Sequence, residues 1–453
     1  MYDLIIIGGG PAGYLAAERA GEAGLKTALI EERELGGVCL NEGCIPSKAL
    51  LHCAKVYEYA LHSEAYGVSV SGASINHAAV IERKSHIVKR LVSGVSMKLK
   101  SKKVDVIRTR AEILPKTTEG FTVRAGDDTL LSKRLLLCTG SVPIMPPLPG
   151  VKETFESGFI LTNREILALT EKPAELVIIG GGVIGLEMAS YFNSIGTKVT
   201  VIEMQKHIGG YVDAEIAALL LKIYSKKGVD FKLGCKLISV SDGAVTCEGE
   251  NGEFTLPADK ILISVGRKAA TQNLRLENIG VLCDKSGVVT DEFMRTNIAG
   301  VYAAGDINGR SMLAHTAYRE TEVAISHILG KPQRMRYHAV PAVIYTNPEA
   351  AGVGETEQSA TDKGYDYTVT KLPMSYSGRF LAESPDGEGF CKLIIDNKYS
   401  RLIGAHIVGS YASEIIYGAA MMIETEMKIA DIKEIIFPHP TVCEIIRETL
   451  FEV

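Results

Sequence analysis

The 453-residue chain contains no apolar run approaching the ~18 residues that cross a bilayer, so no membrane span is expected. It has no basic excess: 49 Lys and Arg stand against 54 Asp and Glu, a net charge of −5. A nucleic-acid footprint needs a cationic face, so nucleic acid is not an expected partner. Its nine cysteines are an odd number without framework spacing. This excludes a disulfide-stapled scaffold, and all but one pair read as reduced thiols. That pair has no matching second cysteine or histidine pair, so no metal is expected. There is no Ser-rich or Pro-rich tract. The opening Met1-Tyr2-Asp3-Leu4-Ile5 lacks a basic region and carries an early acid, which points to a cytoplasmic protein. What remains is an ordinary globular composition, with a size prior of about three domains.

The exceptional pair is Cys39 and Cys44, in Gly36-Gly37-Val38-Cys39-Leu40-Asn41-Glu42-Gly43-Cys44-Ile45-Pro46-Ser47-Lys48. On an unbroken helix their Cα atoms would lie about 7.5 Å apart along the axis, on faces roughly 140° apart. A disulfide needs about 4.4–6.8 Å. Closure therefore requires a bend, for which Gly43 supplies the backbone freedom. So short a loop yields only about 2 kcal/mol of entropic stabilisation, which suits a reagent better than a clamp. The pair alone is equally compatible with two buried reduced cysteines.

One unit occurs twice. Leu4-Ile5-Ile6-Ile7-Gly8-Gly9-Gly10-Pro11-Ala12-Gly13 recurs as Leu176-Val177-Ile178-Ile179-Gly180-Gly181-Gly182-Val183-Ile184-Gly185. Each copy reads as a buried strand, a G-x-G-x-x-G turn and a helix, expected over Tyr14–Ala23 and Leu186–Ser194. Each continues into a second strand ending in an acid, Glu31 or Glu203, 18 residues beyond the third glycine. Gly8 and Gly180 permit the tight turn, Gly10 and Gly182 let a pyrophosphate approach, and Gly13 and Gly185 let helix and strand pack closely. Free N–H groups and the helix dipole favour the anion, and the acids can bind ribose hydroxyls. The repetition predicts two dinucleotide sites.

Between the copies, a Lys/Arg-bearing stretch from Arg83 to Lys103 predicts a long helix with a solvated charged face. Pro143, Pro146, Pro147 and Pro149 predict a linker. Thr296 to Asp306 is a further buried-strand run ending in Gly-Asp. From about Arg334 the texture becomes α+β. Strands are expected at 342–345, 367–372, 390–395 and 402–408, and helices at 410–424 and 441–450.

The Cys39–Lys48 segment resembles the redox-active segment of the flavin-dependent pyridine nucleotide–disulfide oxidoreductases. Phe437-Pro438-His439-Pro440-Thr441-Val442-Cys443-Glu444 resembles that family's His-Pro-Thr-x-x-Glu signature. Cys138-Thr139-Gly140-Ser141, Val265-Gly266-Arg267 and Ala303-Ala304-Gly305-Asp306 match its three shorter landmarks in order. The resemblance spans the whole chain, and its wording is nearest to the branch that oxidises dihydrolipoyl groups. One position departs: members often carry His-x-His-Pro-Thr, and here the first His is Phe437.

The resemblance implies an α/β fold with two Rossmann-like domains, for FAD and NAD, and a C-terminal α+β dimerisation domain. The implied divisions are 1–147 (FAD, with the disulfide), 148–266 (NAD), 267–334 (completing the FAD site) and 335–453 (interface). It implies that Cys39 exchanges with substrate and that Cys44 faces the flavin. Lys48 and Glu187 would pair near the flavin. Glu31 and Asp306 would bind FAD, with Thr139, Gly140, Ser141, Gly266, Arg267, Ala314 and His315 lining the cofactor region. A packing role suits His315 better than a chemical one. Glu203 would bind the NAD ribose, and its charge disfavours a 2′-phosphate. His439 would be the acid–base group, oriented by Glu444, supplied across a homodimer to the other subunit's disulfide. The implied partners are lipoyl-bearing proteins of 2-oxo-acid dehydrogenase complexes or the glycine cleavage system. Two alternatives stay open: a glutathione-type NAD(P)H-dependent disulfide reductase, and a non-catalytic FAD-binding redox sensor.

Overall fold

The computed structural model describes residues 1–453. Leu4–Ile7 and Thr27–Glu31 are buried along their whole length, as parallel strands covered on both faces require. They sit in a five-stranded sheet ordered Val301–Ala303, Leu135–Leu137, Leu4–Ile7, Thr27–Glu31, Asp105–Arg108. Its outer strand Val301–Ala303 arrives from beyond the second repeat, so the chain leaves this unit and returns to complete it. The helices Pro11–Glu22 and Ala314–Ile328 pack on one another against it.

The second repeat builds a like sheet, ordered Asp230–Leu233, Lys198–Glu203, Glu175–Ile179, Lys260–Ile263, Ile160–Leu161. The register matches as well as the order. Leu4 pairs with Thr27 in the first unit, and Leu176 with Val199 in the second. Each unit also carries a three-stranded antiparallel sheet, 111–132 in the first and 236–257 in the second. A short antiparallel pair, Ser141–Pro143 with Arg267–Ala269, ties the two crossings between the units together.

The C-terminal unit is an antiparallel sheet ordered Ala342–Ile344, Ala350–Gly354, Arg401–Val408, Phe390–Asp396, Tyr367–Pro373. The helices Ala412–Glu424 and Glu444–Phe451 bury apolar faces in its core. Phe437 packs against that core.

Several expected bounds move. The repeat helices begin at Pro11 and Val183, because the third glycine already lies inside the first turn. The long basic helix runs His77–Ser101, starting six residues before Arg83. Asn76 caps it by accepting the Ala79 N–H, which the charge pattern did not reveal. The last helix begins at Glu444 rather than Thr441. No helix is long and apolar enough to cross a membrane.

Candidate active site

The cysteine segment folds as the closure argument requires. The helix Gly37–Glu42 carries Cys39 and stops at Gly43, and an 18-residue helix, Cys44–Leu61, starts at once. The break brings the two Cα atoms to 4.7 Å and the cysteines form a disulfide. The helix starts at Cys44 itself, two residues before Pro46, where the N-terminal dipole favours a thiolate. Cys138, Cys247 and Cys391 are buried thiols that burial pushes up, to about 11 for Cys247 and about 12 for Cys391.

The two glycine turns are built alike. A Cβ on Gly13 would lie 1.7 Å from the Gly8 carbonyl oxygen, and one on Gly185 would lie 2.1 Å from that of Gly180. Those positions admit only glycine. Gly182 faces open space, and the nearest atom to a Cβ on Gly10 is 3.8 Å away. No side chain caps either helix. An open cradle with uncapped first-turn N–H groups fits a pyrophosphate in both places. Glu31 accepts from the Gly9 and Arg33 amides at 2.6 and 2.8 Å. Glu203 accepts from the Gly181 and Gln205 amides at 2.7 Å each. Each acid thus braces its own turn.

Lys48, one turn into the Cys44 helix, donates to both carboxylate oxygens of Glu187 at 3.0 Å. This joins the first unit to the second. Tyr345 of the C-terminal unit completes the junction. Its N–H donates to Glu187 Oε1 at 3.2 Å, and its ring centre lies 4.2 Å from Lys48 Nζ. Nothing in the local sequence around Tyr345 signals this role.

Arg267 is half-buried between the units. Its Nε donates to Ser141 Oγ at 2.7 Å, another of its nitrogens to the Ser141 carbonyl at 2.8 Å, and a third to Asn163 Oδ1 at 3.1 Å. Ser141 Oγ in turn donates to Asp306 Oδ2 at 2.5 Å. Burial pushes the Asp306 carboxyl up from its ordinary value and Arg267 down. Thr139 Oγ1 donates to the Ala270 carbonyl at 2.7 Å, and Gly140 turns with φ +74°. Gly266 turns with φ +113° and accepts the Ile144 N–H at 3.0 Å. Ala314 opens the helix Ala314–Ile328, and His315 bonds the Pro341 carbonyl through Nε2 at 2.8 Å. Asn163 is a further member of this cluster that carried no sequence signal.

His439 and Glu444 meet, with Nδ1 2.8 Å from Oε1. Glu444 Oε2 accepts the Thr441 N–H at 2.8 Å. Partial burial works to raise the Glu444 carboxyl, but the Thr441 amide and the His439 ring outweigh it and hold it below its ordinary value. The His439 side chain is 79% exposed and its Nε2 has no partner within the chain. Neither cysteine hydrogen-bonds to it within one chain, so the structure does not join base and disulfide in a single subunit.

A disulfide at a helix start, beside one of two open glycine turns and with an oriented histidine elsewhere, is an arrangement suited to dithiol–disulfide exchange. The pyridine nucleotide-disulphide oxidoreductase family matches residues 2–321, and that family's dimerisation domain matches residues 340–450. The chain is 38% identical to a dihydrolipoyl dehydrogenase of Chlamydia muridarum, covering 99% of this chain and 96% of the relative. It is 39% identical to the mitochondrial dihydrolipoyl dehydrogenase of Pisum sativum, covering 98% and 90%. Among solved structures it resembles the HOCl-induced flavoprotein disulfide reductase RclA of Escherichia coli, with TM-score 0.88, 28% identity and all of both chains covered. It also resembles LpdA of Mycobacterium tuberculosis, with TM-score 0.90, 26% identity and 99% of each chain covered. The chain belongs to the pyridine nucleotide-disulphide oxidoreductase family, whose members use FAD and NAD.

Proposed function

We propose that the chain oxidises protein-bound dihydrolipoyl groups to lipoyl groups and passes the electrons to NAD⁺. The observation that carries this is the Cys39–Cys44 disulfide at the helix start, in a chain that matches dihydrolipoyl dehydrogenases over nearly its whole length. A dihydrolipoyl thiol loses its proton to His439 Nε2, and the thiolate attacks Cys39. The Cys39–Cys44 bond breaks and Cys44 leaves as a thiolate, favoured by its place at the helix start. The second dihydrolipoyl thiol then displaces Cys39, closing the lipoyl disulfide and leaving a reduced cysteine pair. Glu444 holds the imidazole with Nε2 free and stabilises its cation, as the orienting acid does in other His-based sites. FAD held at the first glycine turn would supply the two-electron acceptor that lets the Cys39–Cys44 disulfide re-form, and NAD⁺ held at the second would be the final acceptor, leaving as NADH.

In this reading the first cradle (Gly8, Gly10, Gly13) holds the FAD pyrophosphate, with Glu31, Thr139, Gly140, Ser141, Asp306 and Ala314 around the rest. The relay from Arg267 through Ser141 to Asp306 places that acid. The Lys48–Glu187 pair sits at the seam where flavin and nicotinamide would meet. The second cradle (Gly180, Gly182, Gly185) with Glu203 takes NAD. The protein works as a homodimer in which each subunit's exposed His439 serves its partner's disulfide. Its partners are the lipoyl-bearing proteins of a 2-oxo-acid dehydrogenase complex or the glycine cleavage system, in the cytoplasm.

The test is steady-state turnover of the purified, FAD-loaded protein. NAD⁺ reduction with dihydrolipoamide is expected, with little oxidation of NAD(P)H by glutathione disulfide. The reverse preference would make it a glutathione-type reductase, and no turnover with either would make it a redox sensor.

A further inference from the structure

The C-terminal unit reaches into the second nucleotide unit through one buried cation. Lys392, on the strand Phe390–Asp396, is 1% exposed. Its ammonium lies 2.7 Å from Asp213 Oδ2, 2.9 Å from Glu215 Oε2 and 2.7 Å from Glu357 Oε1. Asp213 and Glu215 belong to the second nucleotide unit, and Lys392 and Glu357 to the C-terminal unit. Lys371, also C-terminal, binds Glu215 Oε1 at 2.5 Å. On the adjoining strand, His406 bonds the Glu355 carbonyl through Nε2 at 2.8 Å, and its buried Nδ1 has no partner. Burial works against the Lys392 ammonium, but the carboxylates outweigh it and keep the amine charged.

Such a cluster is a poor source of stability. Desolvating the buried pair Lys392 and Asp213 is expensive, Glu215 and Glu357 stay partly in solvent, and an apolar seam of the same volume would hold the units as well. What the cluster supplies is registry, because oxygens from two units converge on one nitrogen in only one relative placement.

The position of this lock gives it a function. Asp213 follows the segment 204–212, which begins just after Glu203. That segment folds back over the second glycine turn, where the Gly209 N–H donates to the Gly181 carbonyl at 2.8 Å. Its Ile208 shares a buried cluster with Ile344 of the C-terminal unit. At its far end, Asp213 Oδ1 accepts the Glu215 N–H at 3.0 Å, capping the helix Ala214–Lys226 and leaving Oδ2 for Lys392. The segment is therefore pinned at one end by Glu203 and at the other by a cation from a different unit.

We propose that Lys392 is a positioning residue for nicotinamide-nucleotide binding. Through Asp213 it holds the 204–212 segment over the second glycine turn, so that nucleotide affinity depends on the C-terminal unit. This rests on the assignment of NAD to the second repeat.

The test measures NAD⁺ binding to the oxidised, FAD-loaded dimer by calorimetry. It also measures, separately, anaerobic reduction by dihydrolipoamide without NAD⁺. Lys392→Met is expected to raise the NAD⁺ Kd about tenfold, equivalent to about 1.4 kcal/mol. FAD content and the rate of reduction by dihydrolipoamide should stay within about twofold of native. Asp213→Asn should raise the Kd by about threefold or more. The double variant should be no worse than Lys392→Met alone, because both changes open one lock. An NAD⁺ Kd within about twofold of native in a folded Lys392→Met dimer overturns the proposal, as do strictly additive effects. If Lys392→Met does not fold, Asp213→Asn and Glu357→Gln decide, and an unchanged Kd in both overturns it. A native enzyme that reacts with dihydrolipoamide but does not bind NAD⁺ would overturn the assignment of the second repeat instead.

Discussion

The two repeats share one turn and then lead to different chemistry. In both, the acid at the end of the second strand takes the amide of the middle glycine, Gly9 for Glu31 and Gly181 for Glu203. In both, a later glycine returns to that glycine's carbonyl at 2.8 Å, Gly36 to Gly9 and Gly209 to Gly181. Beyond this point the copies diverge. The first runs three residues on to Cys39 and its disulfide. The second runs four residues on to Asp213 and its buried lysine. One backbone turn thus leads to a disulfide in one copy and to a buried lysine of the C-terminal unit in the other. The difference lies in the segment after the turn, while the turn itself is constrained by atoms a Cβ would strike.

The largest effects should come from the first copy's addition. Cys44→Ser should lower dihydrolipoamide turnover below about 10⁻⁴ of native, as loss of a covalent group does. It should also abolish the long-wavelength absorbance of a thiolate beside oxidised flavin. Cys39→Ser should lose turnover and keep that absorbance; the opposite pattern would exchange the two roles.

Next comes His439, the proposed base, which lies outside both copies. His439→Gln should cut turnover by about 10²–10⁴-fold with FAD content unchanged. Glu444→Gln should cost less, since it removes orientation and leaves the base. Reassociating Cys44→Ser and His439→Gln homodimers should restore one working centre per heterodimer. Inactive, verified heterodimers would count against a shared site.

The second copy's turn gives a finer test. Gly185→Ala places a Cβ 2.1 Å from the Gly180 oxygen, whereas Gly182→Ala meets nothing within 4 Å. The first should lose nucleotide binding and lower the melting temperature. The second should melt like the native protein and still bind NAD⁺ weakly, because only the ligand needs that space. Equal melting losses in both would contradict the open cradle. Glu203 should keep NADP⁺ turnover far below that with NAD⁺ at matched concentration, and equal rates would remove its assigned role.

The smallest effect is electrostatic. Glu388 of the C-terminal unit bonds Lys222 and Lys226 of the second unit at 2.6 and 2.8 Å, and these cations pull its carboxyl down to about 2. A pKa lowered on folding contributes stability that is complete above the unfolded value near 4.5 and is lost as pH falls toward about 2. Glu388→Gln should therefore lower the melting temperature slightly at pH 7 and not at pH 2, and less in high salt. An identical shift at both pH values would show that the pair adds nothing electrostatic.

The parts of this architecture that were legible in the sequence are those where local chemistry leaves few choices. The repeated glycines, the acids 18 residues on and the short Cys39–Cys44 spacing with Gly43 between them each arise from steric or bonding demands within a few dozen residues. The pairing of Lys48 with Glu187, 139 residues apart, came only through family resemblance. Tyr345 over Lys48, Asn163 under Arg267 and Lys392 among three carboxylates were not legible at all. Each is an ordinary residue in its own segment and acquires its role from units that meet only after folding. Helix starts moved for a related reason, since a cap such as Asn76 acts through one backbone bond and leaves little trace in periodicity.

The central claim, that the first repeat handles thiols and the second hands electrons to NAD⁺, is tested most directly by separating the half-reactions. The FAD-loaded dimer is mixed anaerobically with one equivalent of dihydrolipoamide and no nucleotide, and its spectrum is recorded before NAD⁺ is added. The account predicts immediate long-wavelength absorbance from the reduced cysteine pair beside oxidised flavin, then its loss with formation of NADH. An enzyme unchanged by dihydrolipoamide, or one that reacts with it and then fails to reduce NAD⁺, would contradict it.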